Sequence, residues 1–323
     1  MRIVTLEEHI LTPGFSAATR NLRSGPPLKL RERMEPALLD MGEGRLHAMD
    51  EAGISLQVLS LAADGLDELP RDEAVALAAD ANDRIAAAVS AHPDRFAGFA
   101  ILALTDVDAA VEEMYRARQQ LGFAGVMLHG TTQGIFLDDE RFEPVWAAAE
   151  DLRVPVYLHP APPPPEVQQA YYSGLPGNMG HLLAIAAWGW HAETGLHVLR
   201  LIVSGLFDRH PGLRLIVGHM GENLPFSIAR ASGVLDQMSQ HLKRPVEEYF
   251  HKHFWITTSG YFTVPPFQCA LEVVGIDRML FSIDYPFSST GRGRKFLDSL
   301  ELGQGDLKKL AYANAQKLLG LAG

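Results

Sequence analysis

Five side chains with imidazole or carboxylate groups recur at equivalent places along this 323-residue sequence. Each lies at or just after the end of a short apolar or β-branched run, and they are Glu7, His9, His159, His219 and Asp284. Neutral imidazoles combined with two carboxylates would neutralise a divalent cation and leave coordination positions open for water or substrate. The set therefore predicts a metal centre, and its mixed N/O donors favour Zn or Mn over Fe or Mg.

Taken singly, these signals are weak. In an extended strand, Glu7 and His9 point to one side and Glu8 to the other, yet an isolated Glu-x-His is more often a solvated strand end. A histidine that ends a strand is commonly a satisfied core residue. An aspartate near a proline, such as Asp284, commonly caps a turn or a helix. The metal hypothesis depends on the coincidence of all five at strand ends.

Eight short apolar runs alternate with longer helical patterns, and this alternation predicts parallel βαβ units. The predicted strands are Arg2 to Leu6, Ile54 to Leu61, Phe96 to Leu102, Ala124 to Leu128, Val154 to Leu158, Leu213 to Val217, Phe254 to Thr258 and Met279 to Ser282. Eight such units predict an α/β fold of the (β/α)8 TIM-barrel type, over residues 1–323 as one domain. An open doubly wound sheet is disfavoured because no glycine-rich phosphate fingerprint follows the first strand.

Two insertions are predicted where barrel enzymes place their binding loops, after strands 1 and 5. The first, Leu11 to Pro36, is rich in Pro, Gly and Arg. The second, Pro160 to Gly180, contains the run Pro162 to Pro165. A rigid linker would explain a proline run, but about twenty residues that return to a barrel helix are more typical of a lid.

Composition excludes several classes of partner. The sequence is 47% hydrophobic and 21% charged, as in ordinary globular proteins, and its net charge is -11 without a Lys/Arg-rich run. Binding to nucleic acid or to a membrane surface is therefore not expected, and the apolar stretch Leu182 to Trp190 is too short to cross a bilayer. Cys269 is the single cysteine and forms no internal disulfide. These features favour a cytoplasmic protein.

The remaining histidines carry less information. His251 and His253 resemble a strand ligand pair, but they precede strand 7. They therefore lie near the N-terminal face of the barrel, where residues usually contribute to stability. His129 ends strand 4 at the C-terminal face, where barrel enzymes build their active sites. It could contact substrate there, and a surface or core role is an equal alternative. Three more lie in helical context and are expected to pack or to face solvent: His181, His191 and His197.

Several motifs resemble those of γ-resorcylate decarboxylase and its relatives, the non-oxidative hydroxybenzoate decarboxylases of the amidohydrolase superfamily. The matching segments are Thr5–His9, Pro93–Phe96, Leu121–Gly125, Glu193–His197, Ser204–Asp208, Gly218–Pro225 and Phe281–Pro286. The resemblance covers nearly the whole chain. More remote aminocarboxymuconate semialdehyde decarboxylases carry His-x-His on strand 1, whereas this chain has Glu7-x-His9, as the hydroxybenzoate branch does.

This resemblance implies roles for individual residues. It implies four metal ligands, and these are Glu7, His9, His159 and Asp284. His219 and Glu222 are then a proton-handling pair, and Arg230 matches a family arginine near the site. Trp190 and His129 are candidate substrate contacts that differ from many relatives, and Tyr285 replaces a common tryptophan. The resemblance also implies one divalent metal without an organic cofactor, and a homodimer or homotetramer.

The function predicted from these features is metal-dependent, non-oxidative decarboxylation of an ortho-hydroxylated aromatic carboxylic acid. Expelling CO2 leaves an unstable aryl anion unless the ipso carbon is first protonated, and we expect Asp284 to supply that proton. A metal chelated by the carboxylate and the ortho oxygen would position the ring and absorb charge. A hydrolase or hydratase on the same barrel is the alternative, and a non-enzymatic binding barrel is the third possibility.

Overall fold

One parallel sheet of eight strands in chain order forms the centre of the computed structural model, which describes residues 1–22 and 28–321. The strands are β1 (Val4–Ile10), β2 (Leu56–Leu61), β3 (Phe96–Ile101), β4 (Gly125–His129), β5 (Val156–His159), β6 (Leu215–Val217), β7 (Phe254–Thr257) and β8 (Met279–Leu280). All neighbouring pairs are parallel. A parallel bridge from Leu6 to Ser282 brings the first and last edges together, and the predicted (β/α)8 barrel is confirmed.

Helices connect the strands and cover the outside of the barrel. They are α1 (Pro13–Thr19), α2 (Leu28–Leu39), α3 (Glu43–Ala52), α4 (Arg71–Ala91), α5 (Val107–Gln119), α6 (Glu143–Asp151), α7 (Pro165–Tyr171), α8 (Met179–Ala184), α9 (Gly189–Val203), α10 (Leu206–Arg209), α11 (Leu224–Leu235), α12 (Val246–His253), α13 (Val264–Val274), α14 (Thr290–Ser299), α15 (Gln304–Lys308) and α16 (Asn314–Leu319). Within the described residues, no helix has the length and apolar character needed to span a bilayer.

Burial on both faces explains why the strands are nearly continuous apolar runs. All six residues of β2 and all four of β5 are buried, as expected of parallel strands that contact helices outside and other strands inside. A separate apolar cluster gathers residues from alternate positions of the strands with Leu318 and Leu319 of α16. The barrel is therefore a packed core beneath its mouth and not a pore.

The insertion after β1 is more regular than the predicted loop. Residues 11–36 contain α1 and much of α2, while residues 23–27 lie outside the described part of the chain. Thr12 caps α1 by accepting a hydrogen bond from the Phe15 amide, and Arg31 of α2 donates to the carbonyl oxygens of Ser16 and Thr19. Capping and this buried arginine stabilise helices where Pro and Gly content indicated a loop.

The insertion after β5 likewise contains a helix. It runs from Pro160 through α7, which begins at the last proline of the run, into the start of α8. Proline is favoured in the first turn of a helix because its missing N–H has no partner there. The division of the chain stays a prediction: residues 1–323 are interpreted as one domain, although residues 322–323 lie outside the described part.

Candidate metal centre and active site

A local irregularity in β1 positions the first two candidate ligands. The register with β2 shifts between Thr5 and Glu8, and Glu7 has a φ of 59°. Glu7 and His9 reach the mouth of the barrel, whereas the Glu8 carboxylate accepts hydrogen bonds from Gln57 Nε2 at 2.9 Å and the Ile283 amide at 3.0 Å. Burial raises the pKa of Glu8 to about 8. The predicted separation of Glu8 from the other two is confirmed.

The five candidate side chains converge on one point. Glu7 Oε1 lies 3.2 Å from His159 Nε2 and 3.7 Å from His219 Nε2. His9 Nε2 lies 3.3 Å from Asp284 Oδ1, and His219 Nε2 lies 3.9 Å from Asp284 Oδ2. Strands β1, β5, β6 and β8 thus deliver imidazoles and carboxylates to the same place.

Hydrogen bonds on the outer side of the cluster fix the orientation of its rings. His159 Nδ1 donates to the Pro160 carbonyl oxygen at 2.7 Å, which leaves Nε2 directed at Glu7. Tyr157 donates its hydroxyl proton to Glu7 Oε2, and its oxygen lies 2.9 Å from Thr257 Oγ1. Sequence reasoning missed Tyr157, because it occupies an apolar strand and only its hydroxyl reaches the site. Partners of this kind hold metal ligands in a single orientation.

The charge balance of the cluster centres on Glu7, which is fully buried. Burial raises the pKa of Glu7, but the charges of His219, His159 and His9, together with the close approach of His159 Nε2, outweigh burial and bring the pKa well below its ordinary value. Burial lowers the pKa of His219, yet Glu7 and Glu222 raise it well above its ordinary value. The carboxylate therefore requires positive charge beside it.

Several buried atoms of the cluster fit a divalent ion. Among the described residues, Glu7 Oε1 and both ring nitrogens of His9 have no hydrogen-bond partner. Ligand-type atoms of Glu7, His9 and His159 lie within 4.8 Å of one another, as do those of Glu7, His219 and Asp284. Unpaired buried polar atoms are costly unless an ion or water satisfies them. Carboxylate oxygens and imidazole nitrogens are donors that suit Zn and Mn.

The segment after β6 has an unusual backbone. Residues 219–223 all have positive φ angles, of 44°, 59°, 85°, 52° and 64°. Four of them are not glycine, and each such residue costs on the order of 1 kcal/mol. Gly218 precedes this turn, and a Cβ there would lie 2.9 Å from Glu7 Oε2. The turn brings His219 against the cluster, and Glu222 Oε1 accepts from His219 Nδ1 at 2.7 Å.

His191 is buried, as one branch of the expectation allows, and it also makes a polar contact that the sequence did not indicate. This residue lies in the first turn of α9, where packing or solvent exposure was expected, but its Nδ1 is 2.6 Å from Glu222 Oε2. The sequence did not indicate that contact, because the preceding Trp188 and Gly189 do not show which part of the protein the first turn of α9 packs against. The Glu222 carboxylate therefore bridges two imidazoles.

The three residues predicted to contact substrate differ in position. His129 stacks obliquely on His159 with ring centroids 4.6 Å apart, and its nitrogens have no hydrogen-bond partner among the described residues. Burial lowers the pKa of His129 well below its ordinary value, so the ring is neutral. Trp190 is half-buried in α9 with a buried, unpartnered Nε1 within the described structure. Arg230 is exposed on α11 and is not brought into the cluster.

A cavity of about 600 Å³ adjoins the cluster at His129. Loops after β2, β4 and β5 line it, and the proline run Pro162–Pro165 forms part of its wall. Four acidic residues also line it: Asp64, Asp67, Glu68 and Glu166. No Lys or Arg is among its described lining residues. Burial raises the pKa values of Asp64 and Asp67.

Two of the histidines expected to be structural, His253 and His197, are buried and hydrogen-bonded to the backbone. His253 lies in α12, where its Nδ1 donates to the Leu213 carbonyl oxygen at 2.9 Å and its ring stacks on Phe207 at 4.5 Å. His197 Nε2 accepts the Leu137 amide proton at 2.9 Å, and burial lowers the pKa of His197 to about 3. Neither contacts the metal candidates.

Comparison with known proteins gives consistent matches along the chain. Residues 26–321 match the family model described as Amidohydrolase. The decarboxylase orsB of Emericella nidulans is 36% identical over 98% of this chain and 96% of its own. The γ-resorcylate decarboxylase of Rhizobium sp. is 36% identical over 99% of this chain and 98% of its own.

A solved structure supports the same grouping. The dihydroxybenzoic acid decarboxylase of Polaromonas sp., determined with bound manganese and the inhibitor 2-nitroresorcinol, superposes with a TM-score of 0.90. It is 33% identical, and the match covers 99% of this chain and 97% of the Polaromonas chain. Fold, motifs and extent of similarity thus agree with the resemblance seen in the sequence. The chain belongs to the amidohydrolase family and, within it, to the group of the γ-resorcylate decarboxylases.

Proposed function

We propose that this protein is a metal-dependent, non-oxidative decarboxylase of an ortho-hydroxylated aromatic carboxylic acid, releasing CO2 and a phenol. The observation that carries the proposal is a carboxyl group, Asp284, placed 3.3 Å from the ligand-type His9 and 3.9 Å from His219 at the mouth of the barrel. The similar proteins named above are decarboxylases, which favours this reaction over a hydrolase or hydratase.

Glu7, His9, His159 and Asp284 would hold the divalent ion. When bound, the ion would supply Lewis acidity toward the substrate carboxylate and its ortho oxygen, and would hold the ring in one orientation. Manganese is present in the Polaromonas relative, and the same donor types also suit Zn. No organic cofactor is needed, because the ring protonated at the ipso carbon itself accepts the electrons of the breaking C–C bond.

Asp284 is the acid in this proposal. Its side chain is 15% exposed, against 0% for Glu7 and 1% for His9, so it is the carboxyl of the cluster best placed to meet a ring. Asp284 transfers a proton to the ipso carbon and leaves a dearomatised ring. The bond from that carbon to the carboxylate then breaks, its electrons restore the aromatic ring, and neutral CO2 departs.

His219 handles the second proton. Its Nδ1 is held by Glu222, so Nε2 faces the reacting groups and is free to take or return the proton of the ortho hydroxyl. We propose that His129 contacts the substrate where the cluster meets the acidic cavity, and that Trp190 contributes its unpartnered N–H. Arg230 is exposed, so a substrate contact from it requires a second copy of the chain.

Assembly as a homodimer or homotetramer is proposed because several large apolar side chains of the segment from α7 to the start of α9 are exposed. Examples are Tyr171, Met179 and Trp188, which are 76%, 58% and 52% exposed. Exposed apolar patches commonly mark interfaces. Light scattering at working concentration should give two or four times the 35.4 kDa chain mass, and a monomer would contradict the proposal.

We place the enzyme in the cytoplasm, where a reduced thiol is normal, because Cys269 is the only cysteine and is free. Recovery of the native protein with a periplasmic or secreted fraction after cell fractionation would contradict this location.

The activity is tested by CO2 release from a panel of aromatic acids. We expect turnover of 2,6-dihydroxybenzoate or another acid with an ortho hydroxyl, because that oxygen both chelates and donates electrons to the ipso carbon. Benzoate and 4-hydroxybenzoate lack this oxygen and should be inert. Comparable rates on these two control acids would refute the ortho-hydroxyl requirement, and hydrolysis of a lactone or amide without CO2 release would favour the hydrolase alternative.

Metal content tests the ligand assignment. Natively purified protein should hold about one divalent ion per chain, because one set of donors converges at one mouth. His9→Ala and His159→Ala should each lose the ion. His251→Ala changes an exposed histidine of α12 and is the matched control, which should retain it. Full metal content in both ligand variants would show that the ion binds elsewhere.

Asp284→Asn separates metal binding from proton transfer. The amide keeps an oxygen for the metal and nearly the same shape, so the variant should fold and retain much of the ion. It has no acidic proton, and decarboxylation should fall by roughly 10²- to 10⁴-fold. In D2O, wild type should place deuterium at the former carboxyl-bearing carbon. If the metal-replete variant remains within a few-fold of wild type, Asp284 is only a ligand and His219 becomes the leading acid.

A further inference from the structure

His191 is a buried titratable residue for which the proposed mechanism has no role. It is 3% exposed, and its two ring nitrogens have different partners. Nδ1 lies 2.6 Å from Glu222 Oε2, and Nε2 lies 3.0 Å from the Ala186 carbonyl oxygen. A carbonyl oxygen and a carboxylate oxygen can only accept hydrogen bonds. The ring therefore completes both contacts only when both nitrogens carry protons and donate.

Glu222 is held symmetrically by two imidazoles. Its Oε1 accepts from His219 Nδ1 at 2.7 Å, and its Oε2 accepts from His191 Nδ1 at 2.6 Å. Burial raises the pKa of Glu222, but His219 and His191 outweigh burial and lower the pKa overall. Burying the Glu222 carboxylate costs free energy, and so does the backbone φ of 52° at this residue. Two charge-assisted hydrogen bonds offset these costs and hold the carboxylate in place.

The ring of His191 is also fixed from its sides. It meets the ring of Tyr261 edge to face at 5.5 Å and that of His219 at 5.1 Å. His191, His219 and Glu222 have donor types that a second metal could use. However, each Glu222 oxygen already lies at hydrogen-bond distance from its own ring, which indicates protons between these atoms.

We propose that His191 is a positioning residue that acts on the reaction through Glu222. His191 holds Glu222 Oε2 from α9 and so fixes the carboxylate, and Oε1 continues to accept the hydrogen bond from His219 Nδ1. His219 Nε2 then stays directed at the reacting groups beside Asp284. The catalytic part of this inference depends on the proposed decarboxylase function, while the hydrogen-bond part does not.

Three substitutions at His191 separate its hydrogen bond from its bulk. The amide nitrogen of Asn lies close to the position of a histidine Nδ1, whereas the longer Gln places its nitrogen near that of Nε2. His191→Asn should therefore keep the bond to Glu222, while His191→Gln reaches only Ala186 and His191→Ala reaches neither. With equal metal content, kcat should fall about 10- to 100-fold in the Gln and Ala variants. His191→Asn should stay within a few-fold of wild type, and KM should change little in all three.

His197→Gln is the matched control, because His197 is a buried histidine of the same helix whose Nε2 accepts the Leu137 amide proton. We expect it to change stability but not the kcat of the folded enzyme. If His191→Ala fails to fold, the comparison of kcat between the Asn and Gln variants still tests the proposal, because both retain a side chain closer in volume to histidine. Equal kcat in all His191 variants, or the same kcat loss in Asn as in Gln, would overturn the positioning role.

Imidazole nitrogen NMR gives a readout that does not need turnover. In wild type, His191 should show protons on both ring nitrogens, because both of its partners are acceptors. Glu222→Gln should remove the Nδ1 proton from whichever ring, His191 or His219, meets the new NH2 group, because an amide nitrogen donates to only one of the two. A singly protonated His191 in wild type would overturn the hydrogen-bond assignment. A doubly protonated His191 in a protein that releases CO2 from no ortho-hydroxylated acid would instead refute the proposed function and leave the contact standing.

Discussion

Burial of the Glu7 carboxylate is the constraint on which the active site depends. A charge removed from water must be compensated within the protein, and the groups that compensate Glu7 are His159 and Tyr157 of β5 and His219, which follows β6. Bringing them together requires a closed barrel, because strands distant in sequence must end at one mouth. The electrostatic requirement of Glu7 is therefore met only when the barrel is closed.

Much of this arrangement could be predicted from the sequence. Apolar runs that stop at His159 or His219 mark strand ends, and parallel strands bring such ends to one edge. What the sequence did not indicate depends on backbone detail. The irregularity at Glu7 and the left-handed turn 219–223 lie in segments without unusual composition. The sequence predicts only that His191 packs or faces solvent, because helical periodicity does not reveal which neighbour a first turn meets.

Two environments meet at the mouth of the barrel. The cluster around Glu7 is built on strand ends and on bonds to buried partners such as Tyr157, which suits chemistry that depends on fixed distances. The cavity beside it is built from loops and is bordered by His129, by acidic side chains and by the proline run Pro162–Pro165. Rigid strands thus carry the ligands, while the loops shape the space that a ring and its substituents occupy.

The left-handed turn 219–223 also limits how this enzyme can change over evolutionary time. Four of its five residues are not glycine and hold a strained backbone conformation. Even a methyl group at the neighbouring Gly218 would collide with Glu7 and Tyr157. A side chain larger than hydrogen at Gly218 would therefore lower stability before it altered substrate preference. Among the described residues, the cavity wall has a shorter stretch of left-handed backbone, at Gln133 and Gly134, so new substrate ranges would arise by exchange of other residues along the loops after β4 and β5.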